Sequence, residues 1–415
     1  MSSVEVAGSS FNWRRFLAVA GPGVVVMLAD TDAGSLITAA QSGAQWGYRL
    51  LTLQVALIPI LYIVQELTVR LGMVTGKGHA QLIKEQFGPV WAWVSVATLI
   101  ISCIGALLTE LSGLTGVGAL MGVPSSVTLA LTVTLLMLMA VTHNYLTVER
   151  IAIAVGAFEL VFLIVAAIAH PSGREIVAGA SSLPLSDPKY LYLVSANIGA
   201  VIMPWMVFFQ QSSIVERKLT ARDLAPARLD TAIGAVITQL VMAAALIAVA
   251  ATLGKTGTAA GQALDTVEQI AAAITPYLGE VGGRILFGLG MAGASLVAAI
   301  VVTLTAARTL AEVIGAKHSL AHKVPEAPWF YGAYALALII AAVVVSSGTD
   351  LVALSVGVQV MNALLLPIVL GFVFLLALKL PQPYRLQGVY AWFSGALIAV
   401  TVVFGVYSGL SGLWG

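Results

Sequence analysis

The chain has 415 residues, 59% of them hydrophobic and only 9% charged, with a net charge of +1 and a mean hydropathy of +0.98. Soluble domains carry about 25% charged residues, so this composition excludes a soluble domain and predicts a polytopic, all-α membrane protein. The near-neutral charge argues against nucleic acid as a partner. The single cysteine, Cys103, lies in an apolar run and supports neither a disulfide frame nor a thiolate metal cluster.

In chain order, Arg14 and Arg15 lead directly into the first apolar run with no small-residue cleavage site, so no removable signal peptide is expected. Hydropathy predicts spans near 17–41, 48–70, 91–120, 124–142, 150–170, 190–213, 229–253, 282–307, 330–347, 351–378 and 387–412. With the N-terminus inside, 15 of the 20 Lys and Arg residues fall on the cytoplasmic side and 5 outside. That bias predicts eleven spans in a cell membrane, with a cytoplasmic N-terminus and an external C-terminus.

The most informative stretch is VVVMLADTDAGSLITAAQSGAQWG, from Val24 to Gly47. It is apolar on both sides of a polar knot, Asp30-Thr31-Asp32-Ala33-Gly34-Ser35. A carboxylate at membrane depth costs roughly 2.5–3.5 kcal/mol on insertion scales. Two of them, two residues apart, point to different sides of an intact helix. The small residues Ala33, Gly34 and Ser35 predict an unwound backbone, which survives at this depth only inside protein or beside a wet cavity. The knot is therefore expected to hold a cation. The competing reading is an aspartate that caps a helix in a loop.

Farther on, Glu66 precedes Arg70 by one turn, which favours an ion pair over a transport role. Residues 76–89 mix Ala80, Leu82, Ile83 and Phe87 with charges, as a short interfacial helix does. Glu159 in the fifth span is equally consistent with a structural hydrogen bond and a pathway role. In the sixth span, Gly199 and Pro204 bracket a second break, because proline removes a backbone hydrogen bond. An ordinary proline kink is the bland alternative. Breaks five spans apart point instead to a transporter site built on inverted repeats, helices 1–5 (17–170) against 6–10 (190–378), with 387–412 added. The connection at 216–230 is strongly charged, and 255–281 is amphipathic, as a lid packed on the spans would be. Gln359 and Asn362 share one face of the tenth span and are expected to join helices or to support the site.

These stretches resemble the NRAMP family of divalent metal transporters. Its signatures are Asp-Pro-Gly-Asn in the first span, then Gln-Gly-Gly-Ala and Gly-Tyr, and Ala-x-x-Met-Pro-His in the sixth. Here they read DAGSLITAAQSGAQWGYRLL and GAVIMPW, and the likeness covers roughly residues 17–380. The resemblance implies a LeuT-like fold of 5+5 inverted repeats, with metal held between broken helices 1 and 6. It assigns metal contacts to Asp32, Ser35, the Ala200 carbonyl and the Met203 thioether. Asp30, Ala29, Glu110, Gln359, Asn362 and Gln210 stand in supporting or pathway positions.

Several positions depart from the family. The histidine after Met-Pro is Trp205, a second histidine is Gln210, and a span-three acid is Gly113, with only Glu110 retained. The five histidines, His79, His143, His170, His318 and His322, lie in loops or at span ends. Loss of these titratable positions predicts transport without proton coupling. Serine in place of asparagine leaves a roomier, harder site suited to hydrated Mg²⁺, whereas the Met203 sulfur favours softer ions such as Mn²⁺. These changes resemble the divergent NRAMP-related magnesium transporter branch. The expectation is a monomeric carrier of Mg²⁺ that also accepts Mn²⁺, with no cofactor. A proton-coupled Mn²⁺/Fe²⁺ importer and a sodium-coupled carrier of small organic solutes are the rivals. No nucleophile–base pair or phosphate loop suggests an enzyme.

Overall fold

The computed structural model describes residues 22–141, 150, 154, 157–256, 261, 263–317, 320, 322–348 and 350–414, and the regular structure among them is helical. Two short helices open it, α1 (Pro22–Asp30) and α2 (Ala33–Trp46). A 3-10 turn carries α2 into α3 (Leu51–Thr75), followed by the interfacial α4 (His79–Phe87), α5 (Pro89–Leu120) and α6 (Ser125–Ala140). A 3-10 turn at Ala157–Leu160 precedes α7 (Val161–Ile168), and α8 (Gly173–Ala180) leaves it at a bend of 107°. Then come α9 (Pro188–Val201), α10 (Pro204–Glu216), α11 (Leu224–Thr256), α12 (Val267–Leu278), α13 (Glu280–Val313), α14 (Pro328–Ser346), α15 (Leu351–Leu378) and α16 (Gly388–Trp414).

Among the described residues, 8 helical runs are long and apolar enough to cross a membrane, or 9 if the bent pair is one span. The eleven expected spans differ from this count at three places. Residues 33–75 form a single run that joins the second half of span one to span two. The helix at the fourth position, Ser125–Ala140, is short, and much of the fifth position lies outside the described residues.

Burial separates an inner bundle from an outer ring. The run Pro188–Glu216 is 94% buried in its most apolar window, whereas Gly388–Trp414 is 22% buried in its own. Accordingly α1, α2, α9 and α10 occupy the centre, and α16 turns Trp392, Val400 and Val403 outward. An apolar outward face costs nothing in lipid, which is as apolar as the core.

Side chains from neighbouring helices fix the central ones. Asp230 of α11 accepts the Gly23 N–H at 3.0 Å and so satisfies a free donor at the start of α1. Gly199 lies inside α9, not at its break: a Cβ there would collide with the Gln359 carbonyl of α15. The break itself, Ile202 and Met203, lies between Gly199 and Pro204 as expected. The role of Gly199 is close helix contact.

The expected interfacial helix is present as α4, with Ala80, Leu82 and Ile83 buried and Phe87 partly so. Residues 216–230 form a structured connection, because α11 begins at Leu224. A capping box between Thr220 and Asp223 starts the preceding 3-10 turn. The 255–281 segment contains α12, which buries Val267, Ile270 and Ala271. The Leu264 N–H bonds Gln41 of α2 at 2.8 Å. The described part of the segment thus packs on the spans.

Candidate cation site

The first break is short. Helix α1 stops at Asp30, and α2 restarts at Ala33, so only Thr31 and Asp32 leave the helix. Ala33, Gly34 and Ser35 are already the first turn of α2, which corrects the expectation that they unwind. Gly34 is small for another reason: a Cβ would stand 2.5 Å from Gln359 Nε2 and 3.1 Å from Thr109 Oγ1.

Asp32 is extended (φ −64°, ψ 173°), and its Oδ1 accepts the Ser35 N–H at 2.6 Å. It is thus a helix cap, as one reading held, yet it is fully buried and not in a surface loop. Glu110 on α5 accepts the Ala33 N–H at 3.2 Å through Oε2 and the Thr109 hydroxyl at 3.0 Å through Oε1. Two acids therefore share the positive end of α2, where negative charge is favoured. The Thr31 hydroxyl lies 3.3 Å from both the Met27 and Leu28 carbonyls and against Glu159 Oε2, three acceptors for its one proton.

The second break faces the first through Ser35, whose hydroxyl donates to the Ala200 carbonyl at 2.9 Å. Helix α9 ends with the Ile202 N–H on Ile198 O at 3.0 Å, and Met203 is extended (φ −94°, ψ 139°). Pro204 then occupies the first turn of α10, where its missing N–H leaves nothing unsatisfied. The Met203 sulfur accepts the Trp205 indole N–H at 3.2 Å.

Asp32, Ser35 and Ala200 thus form a continuous row, and Met203 lies at the adjoining break with its sulfur engaged. Ala29 is buried in the last turn of α1. Gln359 reaches both broken helices, at Gly34 and at Gly199. Its Oε1 accepts Asn362 Nδ2 at 2.9 Å, and Asn362 Oδ1 accepts the Ser102 hydroxyl at 2.8 Å. The expected joining role is present. Asp32 Oδ2, both Asp30 oxygens, Gln359 Nε2 and both amide atoms of Gln210 are buried with no hydrogen-bond partner among the described residues. Among those residues, no three His, Cys, Asp or Glu side chains converge as a metal-binding set. An ion at Asp32 would therefore rely on that carboxylate, with Glu110 beside it at the start of α2, on hydroxyl and backbone oxygens, and on water.

Gly113 on α5 also has a steric reason, since a Cβ would meet Ala33 Cβ at 2.5 Å. An acid cannot stand there without moving the start of α2. Glu66 is structural as expected: Arg70 Nη2 lies 2.7 Å from it, Arg228 Nε 2.7 Å, and Tyr390 OH 3.2 Å. His79 begins α4, fully buried. Its Nδ1 lies 2.8 Å from Gln211 Oε1 and its ring stacks edge-on against Phe208. Burial pushes its pKa down to about 4, partly opposed by the Gln211 bond. His143 and His318 lie outside the described residues.

The family model described as "Natural resistance-associated macrophage protein-like" matches residues 23–411. The chain belongs to the Nramp family. It is a membrane transporter and not an enzyme. The divalent metal cation transporter MntH of Brucella suis is 27% identical over 315 residues, covering 73% of this Nramp chain and 68% of that protein. MntH of Levilactobacillus brevis is 30% identical over 219 residues, 51% of this chain and 47% of its own. The Eremococcus coleocola manganese transporter, in complex with an aromatic bis-isothiourea substituted compound, superposes with a TM-score of 0.75 at 19% identity, covering 100% of this chain and 91% of that one. Mhp1, a nucleobase-cation-symport-1 family transporter, superposes at 0.60 with 14% identity, over 94% of this chain and 90% of its own. The LeuT-like fold is therefore shared by transporters of different cargo, and cargo must be argued from the site.

Sequence reasoning left Glu159 open between a structural hydrogen bond and a pathway role, and the structure sets it against Thr31 of the first break. Glu159 was visible as a lone acid in an apolar run, but nothing in its spacing tied it to Thr31.

Proposed function

We propose that this Nramp-family protein carries divalent metal cations by alternating access around Asp32, Mg²⁺ first and Mn²⁺ also, without proton coupling. The observation that carries this reading is the free, buried Asp32 Oδ2 beside the Ser35–Ala200 contact at the meeting of two broken helices. A buried carboxylate oxygen without a donor is costly, and a cation offsets that cost. Ser35 and Ala200 then exchange their mutual hydrogen bond for contacts to the ion or its water. Met203 would supply sulfur, but the Trp205 indole occupies that lone pair, which weakens the preference for soft ions. Partial retention of water by Mg²⁺ suits a site with one or two carboxylates, Asp32 with Glu110 beside it. These features support placement near the NRAMP-related magnesium transporter branch.

The same reading takes helices within 17–170 and 190–378 as inverted repeats that rock against each other, with a cytoplasmic N-terminus, an external C-terminus and a monomeric carrier. Glu110 would act through water or by steadying the start of α2. A second reading, proton-coupled Mn²⁺ import, draws on the buried acids Glu110 and Glu159 and on the names of the MntH relatives. Sodium-coupled organic-solute transport is disfavoured, because no buried cationic side chain faces Asp30 or Asp32 among the described residues.

The deciding experiment is uptake into proteoliposomes that contain a metal-sensitive dye, with a pH dye in parallel. Mg²⁺ and Mn²⁺ entry without lumenal acidification, lost in Asp32→Ala, is the expected result. Mn²⁺ entry with acidification and no Mg²⁺ signal would overturn it in favour of the second reading.

A further inference from the structure

The end of α15 and the start of α16 enclose a groove of about 580 Å³ on the outer ring of the bundle. It is walled by Phe374, Leu378, Leu386, Trp392, Ala396 and Ala399 and is almost wholly apolar. The two helices meet at Gly395, where a Cβ would stand 2.9 Å from Phe374 Cζ. Contacts at one end of the groove fix its level in the membrane. Lys379 closes α15 with its Nζ 3.4 Å from the Gln86 carbonyl and 4.1 Å from the Phe87 ring centre, at the end of the interfacial helix α4. Trp392 and Trp91, near the starts of α16 and α5, face outward, 83% and 52% exposed, as indoles at a membrane–water interface do. From Gly388 at this mouth to Ala399 the groove follows α16 for roughly 16 Å, about half of a ~30 Å hydrocarbon core. That is the depth of one leaflet.

The mouth is positively charged. Between Leu351 and Gly415 only Lys379 and Arg385 carry charge, and both stand in the connection that forms this mouth. The Leu386 N–H bonds the Ala377 carbonyl at 3.0 Å, and Arg385 Nε bonds the Leu380 carbonyl at 3.2 Å. These bonds fold the connection back against the end of α15. Both cations are exposed, and neither has a carboxylate partner among the described residues. Arg70 and Arg228 differ, because Glu66 neutralises them. An apolar groove one leaflet deep, with two uncompensated cations at its interfacial end, complements an acyl chain beneath an anionic headgroup.

We propose that this groove binds an anionic glycerophospholipid, with one acyl chain between α15 and α16 and the phosphate held by Lys379 and Arg385. Arg385 offers paired N–H donors to phosphate oxygens, and Lys379 adds a point charge on a stem that rests against Phe87. The apolar walls give the chain no polar group to desolvate, so the headgroup sets the preference among lipids.

The test is native mass spectrometry of the full-length protein in detergent micelles, titrated with phosphatidylglycerol or with phosphatidylcholine of identical chains. The wild type is expected to hold one phosphatidylglycerol about tenfold or more tighter than phosphatidylcholine. The double variant Lys379→Gln/Arg385→Gln is expected to lose that preference. Lys218→Gln/Lys317→Gln, which removes the same charge from exposed positions elsewhere, is expected to keep it. Ala396→Phe, at an exposed position of the wall, fills the groove and should weaken phosphatidylglycerol binding. Thermal melting of each variant separates a lost site from a lost fold, and Ala399→Phe serves if Ala396→Phe does not fold. Equal binding of the two lipids by the wild type overturns the site, as does a preference that survives Lys379→Gln/Arg385→Gln or falls equally in both charge variants. Binding indifferent to the groove-filling variants overturns it too. So does a dimer that Ala396→Phe disrupts, which would assign the groove to a second copy of the chain.

Discussion

The two helix breaks solve the same geometric problem with opposite chemistry. At the first, Asp32 caps α2 with its own side chain, and acids from α5 and the Ala157–Leu160 turn crowd the gap. At the second, no side chain caps α10. Pro204 removes the donor that would need one, and sulfur meets an indole N–H. One break gathers carboxyl groups, and the other is neutral and soft. In the function proposed above, a cation held between them would take its charge balance from the first and its fine preference from the second.

The largest expected effect breaks the charged side. Asp32→Ala removes the carboxylate with the free oxygen, and metal uptake should fall to background, with binding at that site weakened by more than about tenfold. Isothermal titration of purified protein alongside flux distinguishes lost binding from lost movement. Retained uptake would show that charge at the first break is not what holds the ion.

The helix that follows the neutral break is held by a neutral histidine, and this predicts a pH effect of opposite origin. His79 has a folded-state pKa of about 4, below the unfolded value of about 6.5. The unfolded chain therefore binds more protons between these limits, so stability is complete above pH 6.5 and declines as pH falls toward 4. Linkage bounds the loss at about 3 kcal/mol. Melting in detergent from pH 7.5 to 4.5 should lose a corresponding part of its slope in His79→Gln.

A smaller effect tests the contact that places both breaks against α15. Gly199→Ala would drive a Cβ into the Gln359 carbonyl, and overpacking of this kind costs about 1–3 kcal/mol. Thermal unfolding should register it, whereas Gly173→Ala, at a position with open space, should not. The smallest change sharpens the neutral side. Trp205→His frees the Met203 sulfur from the indole, and the Mn²⁺ over Mg²⁺ uptake ratio should rise by about threefold to tenfold, roughly 1 kcal/mol. An unchanged ratio in competition flux would remove the indole from the selectivity account.

What could be read from the chain divides by range of interaction. Composition alone determined a membrane-embedded helical protein, because 59% hydrophobic residues have no other stable solvent. The paired acids at Asp30 and Asp32 and the proline at 204 located both breaks, since each creates its own local conflict with a helix. The ion pair of Glu66 with Arg70 and the short helix at 79–87 were equally local, following from side-chain spacing. The tertiary structure decided the rest. Only the approach of α15 explains Gly34, which the sequence alone suggests as a point of unwinding, and Gly199, which it places beside the second break. Only folding brings Glu159 onto Thr31 across 128 positions. A helix break is written in neighbouring residues, but what fills it comes from other helices, and no periodicity along the chain records that meeting.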